Sequence, residues 1–76
     1  MVRKKYEVLI ASVPDREHVV AEIWCDECQL AEMRREGEEV FVELYPHPQL
    51  PAWDFNYQDL LHLLATGNQK LPNPVS

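Results

Sequence analysis

The chain has 76 residues, 46% of them hydrophobic, and a formal net charge of −6. That length allows one domain with a thin core, burying roughly 60% of its unfolded surface, and the apolar content excludes a wholly disordered chain. No apolar run approaches the ~20 residues that a spanning helix needs, so no membrane segment is expected.

The start, Met1-Val2-Arg3-Lys4-Lys5, is basic, but the apolar stretch behind it is short and broken by Glu7. That is not a signal-peptide pattern, and a cytoplasmic location is expected. Tyr6 to Val13 is rich in β-formers, and Pro14-Asp15-Arg16-Glu17 reads as a turn. His18 to Cys25 reads as a second strand, closed by a two-residue turn at Asp26-Glu27 that lacks the glycine such turns favour. Cys28 to Arg35 is a weaker third strand, ended by Glu36-Gly37, and Glu38 to Tyr45 is a strong fourth. Pro46, Pro48 and Pro51 then forbid a ladder or a helix, which leaves a stiff, partly extended loop. Asn56 is a good N-cap for a helix whose Tyr57, Leu60, Leu61 and Leu64 recur at helical spacing, and Gly67 suits the C′ position beyond its end. The fold class expected is therefore α+β, a four-stranded antiparallel β-meander followed by one C-terminal helix packed on one sheet face. Residues 1–71 form the domain and residues 72–76 a flexible tail.

Pairing the strands across the two turns sets Trp24 opposite Gln29, Glu22 opposite Ala31, Val20 opposite Met33, Met33 opposite Val40, and Ala31 opposite Val42. One face then carries Val20, Trp24, Ala31, Met33, Val40, Val42 and Leu44. The other carries Val8, Ile10, Ala21, Ile23, Leu30 and Phe41, mixed with Glu32, Glu39 and Glu43. Both faces are substantially apolar, and one short helix covers only one of them. The uncovered face or an edge strand is therefore expected to meet another chain, a homodimer being the simplest form.

Charge is concentrated in the body. Residues 6–69 hold all 13 acids against Arg16, Arg34 and Arg35 alone, a net of −10. Such a body repels nucleic acid and attracts a basic partner. Candidate partner-binding residues are Glu32, Glu39 and Glu43 on the sheet, with Tyr45, His47 and Trp53 in and beside the Pro-rich loop. The competing role for Trp53 and Phe55 is to staple the helix start onto the sheet.

Cys25-Asp26-Glu27-Cys28 is half of a zinc-ribbon site, so Cys25 and Cys28 are candidate metal ligands, but no second CxxC completes it. Two carboxylates between the thiols oppose the low thiol pKa that redox work needs. The bland reading is two incidental cysteines flanking a turn. Glu22, placed between Val20 and Trp24 on the packed face, must find a partner such as Arg35 or His18 or a raised pKa. It is either a functional carboxylate in a cleft, or a sheet-rim residue in solvent or the sign of a wrong register. The chain has two glycines and no Ser-His-Asp, Cys-His or His/carboxylate array, so no phosphate cradle, cofactor or enzymatic activity is expected.

The segments EVLIASVPDRE, VAEIW, LAEMRREG, ELYPHP and WDFNYQDLL resemble a group of short bacterial proteins of unknown role, a likeness covering most of residues 6–65. The format, which is small, acidic and built of hairpins plus one helix, is similar to that of immunity and antitoxin proteins that occlude a basic toxin. That likeness implies an inhibitor-like protein-binding domain. The alternatives are a structural homodimer without activity and a small metal-binding module using the CxxC hairpin.

Overall fold

Runs of β-branched and aromatic residues, the last three of them separated by two-residue turns, form a single antiparallel sheet. Its strands are β1 (Tyr6–Ser12), β2 (Val19–Cys25), β3 (Cys28–Glu36) and β4 (Glu39–Leu44), in the spatial order β1-β2-β3-β4, and one helix follows, α1 (Tyr57–Lys70). The computed structural model describes residues 4–12 and 19–72; the expected turn at 14–17, His18 and the tail beyond Pro72 lie outside the described residues. Among the described residues, no helix is long and apolar enough to cross a membrane.

The β2–β3 turn has positive φ at both central residues, Asp26 (φ 50°) and Glu27 (φ 70°), the pattern of a type I′ turn made without glycine. Asp26 ties this turn to β1. Its Oδ1 accepts from the Lys5 amide at 2.8 Å, and its own amide donates to the Lys5 carbonyl at 2.8 Å. The β3–β4 turn is Gly37-Glu38 rather than Glu36-Gly37, because Glu36 pairs with Glu39. Gly37 alone takes positive φ (65°), as the first central residue of a type II′ turn does. Met33 consequently faces Val42, not Val40, and Ala31 faces Leu44, not Val42.

A second departure matters more. Trp24 does face Gln29, but the register shifts between Ile23 and Trp24, so that Ile23 faces Ala31, Glu22 faces Glu32 and Ala21 faces Met33. Leu30 is the extra residue of a bulge in β3. Because side chains alternate with period two, this single insertion exchanges the faces of β3 and β4 relative to β1 and β2. Ala21, Ile23, Leu30, Ala31 and Met33 therefore lie together beneath Leu63 and Leu71 of the helical segment, all under 5% exposed. Val20 and Trp24 lie on the opposite face from this core, and the sequence-based division of the faces is corrected accordingly.

Asn56 caps α1, its side chain accepting from the Asp59 amide at 3.1 Å. The helix does not end at Gly67. It continues to Lys70, and the Leu71 amide donates to the Gly67 carbonyl at 3.2 Å before Pro72 stops it. Gly67 is inside the helix because the helix crosses the sheet there: a Cβ at this position would lie 2.5 Å from Met33 Sδ. A helix is ~10 Å wide and strands are ~4.8 Å apart, so one helix covers about two strands. α1 lies over β1 and β2. Val42 and Leu44, on the helix side of β4, stay 41% and 69% exposed.

Candidate functional site

The face of the sheet opposite α1 has a defined composition. Register sets Leu9, Glu22, Glu32 and Glu43 directly opposite one another across all four strands. One row away, Glu7 faces Trp24 and Trp24 faces Gln29; in the other direction Arg34 faces Phe41. Leu9 and Phe41 are 46% and 39% exposed. Carboxylates directly opposite each other repel and destabilise a ladder.

Aromatic donors hold two of these carboxylates. Trp24 Nε1 donates to Glu22 Oε1 at 3.2 Å, and the Tyr45 hydroxyl donates to Glu32 Oε2 at 2.6 Å. Tyr45 reaches that position because Leu44 turns to the helix side and Tyr45 to the other, its amide still paired with the Leu30 carbonyl at 2.9 Å. Arg34 forms an ion pair with Glu36 and lies 5.0 Å over the Phe41 ring. The Glu36 hydrogen bond, with the neighbouring Glu43 and Glu32, raises the Arg34 pKa, so it is cationic throughout.

Glu32, Glu43 and Tyr45 are thus brought together, with Glu39 further along the same face opposite Glu36. His47 and Trp53 are not part of this surface. Trp53 packs against the helix-side core and its Nε1 donates to the Tyr45 carbonyl at 3.0 Å. Its ring lies 4.4 Å from His47 and stacks at 5.5 Å on Phe55, which lies 6.1 Å from Tyr6. His47 is half-buried, and its Nδ1 accepts from the Gln49 and Leu50 amides at 3.0 Å each. The imidazole organises the turn after Pro46.

Sequence reasoning missed Glu22, Trp24 and Leu9 as members of the open face. The bulge has no signature in the chain. The misfit of a carboxylate on the supposed packed face was the one available signal, and it pointed to register rather than chemistry.

The cysteines flank the type I′ turn as a directly facing pair, Cys25 buried and Cys28 half-buried, both free. They line a groove of about 290 Å³ with Lys4, His47 and Trp53. Burial first, and then the neighbouring Asp26 carboxylate, push the Cys25 thiol up, which disfavours the thiolate that binds metal or attacks. Among the described residues, no group of three or more His, Cys, Asp or Glu side chains is placed to hold a metal ion. Compared with protein-family models, curated proteins and solved structures, the chain matches none.

Proposed function

We propose that this chain is a small acidic protein-binding domain of the inhibitor or immunity type, which docks on a basic protein surface through its open sheet face and performs no catalysis. The observation that carries the reading is the cross-strand row Glu22, Glu32 and Glu43. Directly opposed like charges destabilise a ladder, and Trp24 and Tyr45 nevertheless hold two of the three carboxylates, Glu22 and Glu32, in place. Leu9 and Phe41 add exposed apolar area beside the charges. Fixed carboxylates flanked on the outer strands by exposed apolar side chains suit a basic protein surface, whose approach they steer. Contact with a second copy belongs to the same reading of a domain that works by touching protein.

The test is retention from the source cell on the immobilised chain, against Glu22→Gln/Glu32→Gln/Glu43→Gln. The native chain is expected to hold a basic protein at low salt and release it near ~0.5 M salt, where the screening length falls to a few ångströms. The triple variant should hold none. Equal retention by the triple variant would refute the assignment of this face.

A further inference from the structure

We propose that the outer edge of β4 is where two copies of this chain meet, their β4 strands pairing antiparallel about a two-fold axis at Val42. The proposal deepens the self-association part of the reading above and is independent of the basic partner.

β4 is the outermost strand beyond β3. The Tyr45 amide donates to the Leu30 carbonyl, and Leu44 lies opposite Ala31 one step earlier. In an antiparallel ladder, residues that exchange hydrogen bonds alternate with residues that do not. The odd-numbered residues of β4 therefore bond to β3, and Val40, Val42 and Leu44 turn their N–H and C=O groups outward.

Proteins protect such edges with charged side chains, lysine above all, with proline or with bulges. The edge of β1 is guarded in this way, since Lys70 Nζ donates to the Val8 carbonyl at 3.4 Å. β4, Glu-Val-Phe-Val-Glu-Leu, contains no lysine and no proline, and its two charges, Glu39 and Glu43, stand on the same side as Phe41. It also exposes Phe41 on one side and Val42 and Leu44 on the other, and α1 lies away from it over β1 and β2.

Charge then selects the occupant's register. A one-residue slip would set helix-side residues opposite open-face residues. A two-residue slip in one direction would set Glu39 opposite the second copy's Glu43, and in the other Glu43 opposite the second copy's Glu43. With Val42 on the axis, Val40 faces the second copy's Leu44 and Phe41 faces the second copy's Glu43. No carboxylate then opposes a carboxylate, and the contact is self-complementary, as a two-fold interface requires. The pair would form one eight-stranded sheet and set two acidic rows on one continuous face.

Amide exchange of the native chain at low micromolar and near-millimolar concentration tests this. The Val40, Val42 and Leu44 amides should gain protection with concentration. Mixed-label samples should show a contact between the Phe41 and Glu43 α-protons of different copies, because facing non-bonded residues approach to about 4.5 Å between Cα atoms. Val42→Lys should weaken association by about tenfold or more while leaving β1–β3 amides unchanged. A single-chain mass at near-millimolar concentration overturns the proposal. So does a dimer that leaves these three amides unaltered, shows Phe41 against Phe41, or survives Val42→Lys. A monomer that still retains a basic protein removes this pairing and leaves the docking face intact.

Discussion

Gly67→Ala sets two effects of opposite sign against each other. In an exposed helix interior alanine is preferred to glycine by about 1 kcal/mol. At Gly67 the added Cβ would meet Met33 Sδ at 2.5 Å and Ile23 Cδ1 at 3.6 Å. Met33 is 3% exposed and Ile23 0%, so the sulfur has no solvent to move into. Overpacking a core by one methyl costs about 1–3 kcal/mol. The net expectation is a destabilisation between zero and ~2 kcal/mol, against a total of roughly 4–11 kcal/mol for a chain of this length. Met33→Val removes every atom beyond the γ position. In that background Gly67→Ala should stabilise by the full ~1 kcal/mol, so the double-mutant cycle should return a coupling of about 1–3 kcal/mol. Urea unfolding followed by the fluorescence of Trp24 and Trp53 measures all four variants. A stabilisation of ~1 kcal/mol by Gly67→Ala alone, with coupling near zero, would show that the helix does not cross the sheet at this point.

Other perturbations follow from the same geometry. Glu27→Gly relieves a non-glycine residue at φ 70° and should stabilise by about 0.5–1 kcal/mol in thermal melts. Asn56→Ala removes the cap on the Asp59 amide and should cost about 1 kcal/mol, visible as a loss of helical signal at lower denaturant. The Cys25 thiol is raised by burial and by Asp26, and the Tyr6 phenol by burial and its hydrogen bond to Asp59. Their stabilisation is complete below the ordinary values of 9.0 and 10.0 and is lost as pH rises through the folded values. Melts taken from neutral to alkaline pH should therefore fall, and Cys25→Ala should flatten the first part of that fall. Glu43→Gln relieves the repulsion with Glu32 but gives up the attraction to Arg34, so stability at low salt should change by no more than a few tenths of a kcal/mol. The same change should weaken partner retention, and unaltered retention would remove Glu43 from the docking face.

Element identity was legible because it is local. Alternating β-formers marked each strand, Pro46, Pro48 and Pro51 ended the sheet, and Asn56 marked the helix start within one residue. Which residues share a face was not legible, because it depends on Leu30, a residue that reads like its neighbours and is extra only when β3 is laid against β2. Gly67 was read by its usual role as a helix stop, whereas its missing side chain serves the contact with Met33. The site was legible in part. Glu32, Glu43 and Tyr45 were singled out from charge and residue type, and they do meet. Trp53 and His47, singled out on the same grounds, point to the other side of the sheet, because the Pro-rich loop folds back over the helix-side core.

By itself the sequence determined a small α+β domain with an acidic body, since periodicity, turn chemistry and charge belong to residues and their near neighbours. Only the tertiary structure decided that Glu22, Glu32 and Glu43 stand in one row and that, among the described residues, β4 has a partner strand on one side alone. Both are consequences of strand register and helix placement, which no residue carries alone.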